Sequence, residues 1–98
     1  MILIQWDYAK SNKNFAKHGV GFDEAATVLL DANSVELYDG QHSKNEDRFW
    51  IIGLSQEERI LLVVYTYRRS SYGKKEYYRI ISARTANKKE REIYESKN

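Results

Sequence analysis

The sequence predicts an α+β domain in which two N-terminal helices and a C-terminal helix pack on an antiparallel sheet, in the order β-α-α-β-β-β-β-α. Three observations carry this prediction. The first third contains two segments whose apolar residues recur at helical spacing. Residues 34–83 then break into four extended runs, joined by turns too short for helical crossovers, so the strands should run antiparallel. A highly charged segment, 86–96, closes the chain as a last helix. Helices at the ends of a strand meander make a two-layer sandwich.

The elements follow in order. Residues 2–6 alternate weakly and form a short first strand, after which Asp7 is a good N-cap. Residues 8–17 form a helix, with Gly19 as its C-cap. Tyr8, Ala9, Phe15 and Ala16 fall on one side of it, and Lys10, Lys13 and Lys17 on the other. This predicts an amphipathic helix whose lysine face is either solvated or a phosphate-binding stripe. Gly21-Phe22-Asp23-Glu24 opens a second helix, and its acids suit the first turn. There Phe22, Ala25, Ala26, Leu29 and Leu30 make the stripe expected to be buried.

Residues 34–38 alternate as a strand with one wet face, and 39–47 form a polar loop carrying His42. Residues 48–54 are apolar on both faces, as in a central strand, and 59–67 are the strongest strand. A basic loop, 68–75, leads to the last strand at 76–83, and Thr85 is placed to cap the final helix.

The 98 residues fit a single domain, 1–98. With 42% hydrophobic residues there is enough for one modest core. There is no cysteine, which excludes disulfides and thiolate metal sites and suits a reducing cytoplasm. No apolar run is long enough for a bilayer, and the start lacks the basic region of a signal peptide, so no membrane role is expected. Five glycines and no proline argue against a linker-rich chain. The net charge of +2 hides an uneven distribution. Acids crowd the middle, and bases dominate from Arg59 to Arg91, so a shared basic surface can still bind nucleic acid.

No metal, P-loop or dinucleotide motif is present, and no cofactor is expected. The chain has two histidines, His18 and His42, with Glu, Arg, Lys and Tyr residues concentrated in loops and at strand ends. That inventory suits cleavage of RNA without metal. A 2′-OH attacks the adjacent phosphate, and the protein moves two protons and stabilises the added charge. Arg48, Arg79 and Arg84 are the candidate phosphate-holding groups, because a guanidinium fork matches phosphate oxygens. His42, in its polar loop, and Glu46 are the candidates for proton transfer. Glu46 and Arg48, two residues apart, are expected to point to one face. Arg79 can equally pair with Glu36 or Glu46. His18 beside the capping glycine is expected to satisfy helix-end carbonyls. Lys10, Lys17, His18, Tyr67 and Arg68 are candidate RNA contacts, since aromatics among cations can stack bases. The same residues would equally serve a non-catalytic RNA-binding or partner-docking module.

Several blocks resemble BrnT toxins. They are Trp6-Asp7, Lys10, Asn14, Lys17-His18-Gly19-Val20, Phe22 and Glu24-Ala25, then His42-Ser43, Glu46 and Arg48. Gly53-Leu54-Ser55, Arg79-Ile80-Ile81-Ser82-Ala83-Arg84, Glu90-Arg91 and Tyr94 complete the set. The resemblance implies a RelE-like fold, a metal-independent endoribonuclease that inhibits translation, and a BrnA-like antitoxin that binds DNA in the complex. The segment from Thr85 to Asn98, with few apolar anchors, is expected to take part in that contact. Gly21 departs from the Ser- or Asp-like cap expected there, and loop 68–75 is longer and more basic than the resemblance leads one to expect.

Overall fold

The computed structural model describes residues 2–70 and 75–97. Its elements are β1 (Ile2–Gln5), α1 (Tyr8–His18), α2 (Phe22–Val28), β2 (Val35–Tyr38), β3 (Arg48–Leu54), β4 (Ile60–Arg69), β5 (Glu76–Thr85) and α3 (Lys88–Lys97). A single 3-10 turn, Gly40–His42, interrupts the loop before β3. The predicted order is the one observed.

The strands form one sheet in the order β1-β5-β4-β3-β2. β2 through β5 pair antiparallel, as their short connections require, and β1 adds to β5 in parallel. β4 is therefore the central strand, and β3 lies beside it. Between Val64 and Tyr65 the β4–β5 register shifts, because Ser82 pairs with Val64 but Ile80 pairs with Tyr65. Ile81 is the extra residue of this bulge.

Most of the core lies between one sheet face and α2. Phe22, Ala25 and Val28 are fully buried against Ile51, Leu61, Val63, Tyr65, Ile80 and Ala83. Burying a side chain such as Phe22 contributes roughly 1.5–3 kcal/mol. Gly53 lets α2 approach β3, since a Cβ there would lie 2.9 Å from Val28 Cγ1. α3 covers one end of the opposite face, over Ile52, Leu62 and Ala86, with Ile93 and Tyr94 as its half-buried anchors. The principal two layers are thus the sheet with α1 and α2, and α3 is a smaller cover behind.

Several expectations need correction. The predicted apolar side of α1 faces outward, with Tyr8 79% and Phe15 61% exposed. Its buried residues are instead Ser11 and Asn14. Asn14 donates to the carbonyls of Val20 (2.8 Å) and Ala83 (2.7 Å) and accepts the Ala83 N–H (3.3 Å). Beyond the end of β1 this amide takes the place of a neighbouring strand, so the polar face wins over the aromatic one. Ser11 Oγ accepts the Phe22 N–H at 2.9 Å, which caps α2 where Gly21 has no side chain to do so. Val28 takes the core position expected of Leu30, which is 74% exposed in the turn after α2. Thr85 ends β5 and does not cap α3. Asn87 Oδ1 accepts the Glu90 N–H and Glu90 Oε1 accepts the Asn87 N–H, a capping box. Arg68 and Arg69 extend β4 instead of belonging to the loop, whose residues 71–74 lie outside those described.

Candidate active face and basic cleft

β3 begins at Arg48, which pairs with Thr66 of β4, and Thr66 pairs with Arg79 of β5. Side chains opposite one another in a sheet share a face. Arg48, Thr66 and Arg79 therefore form one row on the face that carries α3 at its other end. The two arginine Cα atoms are two strand spacings apart, about 10 Å. Among the described residues neither guanidinium has a hydrogen-bond or ion-pair partner. Arg48 Nε and Thr66 Oγ1 are both buried and unpaired, and Thr66 is fully buried.

The 39–47 loop is fastened beside this row. Ser43 Oγ donates to the Asp39 carbonyl (2.5 Å) and accepts the Arg48 N–H (2.9 Å). Asp39 Oδ2 binds His42 Nδ1 at 2.8 Å and accepts Trp50 Nε1–H at 3.0 Å. Burial acts to raise the Asp39 carboxyl, but the bonds to His42 and Trp50 outweigh it and hold the carboxyl below its ordinary value. An ionised Asp39 accepts from His42 Nδ1 and fixes the ring, leaving Nε2 free. His42 itself is 60% exposed. Gln41, His42, Lys44, Asn45, Glu46 and Arg48 line an open depression of about 510 Å³.

The structure thus brings His42, Glu46 and Arg48 together, with Arg79 two strands away. Glu46 does not pair with Arg48, because Arg68 occupies it through Nε (3.1 Å) and Nη2 (2.9 Å). Arg79 pairs with neither Glu36 nor Glu46. Arg84 lies on the same face, four pairing rows beyond Arg79, where Glu90 grips its guanidinium at 2.7 and 2.8 Å. That bond keeps the Glu90 carboxyl below its ordinary value and Arg84 above its own. Tyr67 is on the opposite face, stacked edge-on to Tyr78, and donates to Glu76 Oε1 at 2.6 Å.

Lys10, Lys17 and His18 form a separate group. With Lys13, Asn14, Ile81 and Ser82 they line a cleft of about 260 Å³ between α1 and β5. His18 does not serve the helix end. Gly19, at φ +72°, donates its N–H to Phe15, and the Gly19 carbonyl accepts from Arg59 Nη2 at 3.0 Å. Asp39, Trp50 and Thr66 were not read from the sequence as members of these sites, whereas Lys13 was read with Lys10 and Lys17 as one lysine face. Asp39 stands three residues before His42, a usable local signal. Thr66 joins Arg48 only through strand register.

A family model described as the ribonuclease toxin BrnT of a type II toxin–antitoxin system matches residues 6–90. No curated protein matches the chain. Among solved structures, the crystal structure of the Brucella abortus ribonuclease toxin BrnT is similar, at 27% identity and a TM-score of 0.60. The match covers 90% of this chain and 99% of that one. With its fold, its strand order and most of its length accounted for in this way, the chain belongs to the BrnT family of ribonuclease toxins of type II toxin–antitoxin systems.

Proposed function

We propose that this toxin cleaves RNA by attack of a 2′-OH on the adjacent phosphate, without a metal ion, and thereby stops translation. The observation that supports this most is the Arg48–Thr66–Arg79 row, which holds two guanidiniums that are in no ion pair among the described residues, beside an Asp39-oriented His42. The 2′-oxygen bonds to phosphorus as the bond to the 5′-oxygen breaks, leaving a 2′,3′-cyclic phosphate and a 5′-OH. Arg48 and Arg79 hold the phosphate and stabilise the charge that develops on it. His42 and Glu46 are the groups that move protons in this reading, one from the 2′-OH and one to the leaving oxygen. Glu46 does so only when Arg68 yields it, and Arg84 joins as a third guanidinium only when Glu90 releases it. Lys10, Lys17, His18, Arg68 and Tyr67 remain proposed RNA contacts, though Tyr67 would have to act from the other side of the sheet.

The partner proposed is a BrnA-like antitoxin, in the cytoplasm, that covers the arginine face and contacts α3. The complex, and not the toxin alone, would bind operator DNA. Purified toxin should cut RNA in the presence of EDTA, and His42→Ala should slow it. Loss of cutting on chelation would defeat the metal-free step. Salt-sensitive binding with no cutting at all would favour a binding module instead. Co-expression with the neighbouring gene product should raise the melting temperature, because a partner that binds only the folded form adds its binding energy.

A further inference from the structure

The lysine side of α1 is more than a solvated helix face. α1 contains no acidic residue, and Lys10, Lys13, Lys17 and His18 follow one another at helical spacing. Among the described residues none of the four is in an ion pair. Lys10–Lys13 and Lys13–Lys17 are like-charge neighbours, which weakens a helix by a few tenths of a kcal/mol per pair. The stripe also faces something specific. β1 stops at Gln5 opposite Arg79, so the outer edge of β5 carries no strand beyond that point. The bulge residue Ile81 and its neighbour Ser82 form the far wall of the cleft. Ser82 is on the same face as Arg79 and Arg48. The Asp7 carboxyl lies at the junction of the two groups. It accepts the Lys10 N–H, which lowers it most, and the charges of Lys10 and Arg79 both act on it in the same direction.

We infer that the cleft between α1 and the free edge of β5 is a subsite for the phosphates of single-stranded RNA outside the cleaved linkage. The strand crosses the edge of the sheet at Ile81 and Ser82, passing from the arginine row to the lysines. This rests on the reading of the arginine row as the phosphate-holding site, and it adds a direction and a length to the substrate. Single-stranded RNA fits better than duplex here, because the arginine row lies on the sheet face and the helix stripe lies beside the β5 edge. A chain must bend around that edge to touch both.

The probe is single-stranded RNA methylated at every 2′-oxygen, which cannot be cut, in a series of increasing lengths. Binding is measured against salt for the wild type and for the triple variant Lys10→Gln, Lys13→Gln, Lys17→Gln. Glutamine keeps helix propensity close to that of lysine, and a melting curve verifies the fold. On the longer RNAs the slope of log Kd against log salt should shrink by about 2, equivalent to roughly 20-fold in affinity change between about 50 and about 200 mM salt. The deficit should diminish on the shortest RNA, and a Lys→Arg triple variant should restore binding. The exposed pair Lys88→Gln, Lys89→Gln should leave the slope at the wild-type value. An unchanged slope in the α1 variant, or the same change in the Lys88/Lys89 variant, would overturn the inference. If the wild type cuts no RNA but the length-dependent slope is present, the cleft stands and the catalytic reading falls.

Discussion

Arg59 and Arg84 lie at the closed parts of the molecule, Arg48 and Arg79 at the open end of one sheet face, and the two sets are treated differently. Arg59 binds Glu24 through Nε and Nη2 and also reaches the Gly19 carbonyl, tying the end of α1 and the start of α2 to the β3–β4 turn. Ser55 Oγ adds a bond to the same carboxylate at 2.7 Å. Arg84 is clamped by Glu90, which also closes the capping box of α3. Arg48 and Arg79 have no such partner among the described residues. A guanidinium with a carboxylate fixes a fold, whereas one left without an anion is available to a substrate phosphate. On the proposed reading of the arginine row, pairing state and not residue type separates the arginines that hold the fold from those that hold phosphate.

The largest expected effect follows directly. Arg48→Ala and Arg79→Ala should each lower kcat for RNA cleavage by roughly 10²–10³-fold, while the melting temperature holds, because neither guanidinium joins elements through a hydrogen bond or ion pair among the described residues. Arg84→Ala should do the reverse, with a smaller loss of activity and a stability loss of about 1 kcal/mol, moderated by solvent at its half-exposed pair. If Arg84→Ala abolishes cutting and Arg48→Ala does not, the division drawn above is wrong. Denaturant melts and single-turnover kinetics on the same preparations decide it.

The next prediction concerns α1. Asn14→Ala should destabilise the fold by about 2–4 kcal/mol, since it strands the Val20 carbonyl and both backbone groups of Ala83. Urea unfolding measures it. A loss near zero would mean that water replaces the amide and that the polar face of α1 does not hold the helix.

Acid should act on the closed regions first. Glu24 sits below its ordinary value of 4.5, mainly through its bond from Arg59, and Glu90 likewise through Arg84. A depressed carboxyl contributes stability that is complete above the unfolded value. That contribution is lost as pH falls through the lower folded value. Melting temperature should therefore decline below about pH 4.5, and Glu24→Gln should flatten part of the decline while lowering stability at neutral pH. A profile identical in wild type and variant would remove Glu24 from the account.

The smallest effect is the one that contradicts helical periodicity most clearly. Phe15→Ser should change stability by no more than about 0.5 kcal/mol, as for an exposed site. A buried phenylalanine truncated to alanine would cost roughly 3–5 kcal/mol. A large loss at Phe15 would show that its outward position is mistaken.

Much was written locally into the chain. Asp7 and Gly19 bracket α1, Gly21 and the acids after it start α2, and short turns force β2 to β5 into an antiparallel meander. These features depend on neighbours within a few residues, so periodicity and capping chemistry suffice. His42, Glu46 and Arg48 were also readable as a cluster, being close in sequence on one loop and strand start. The tertiary structure decided what depends on distant partners. It set β1 beside β5, turned the aromatic side of α1 outward because Asn14 had a strand edge to satisfy, and gave Glu46 to Arg68 and Arg84 to Glu90. It also put Thr66 between Arg48 and Arg79 by register. Pairing across a sheet and the competition of several cations for few carboxylates are settled by which groups meet in space, and a one-dimensional pattern carries no term for that.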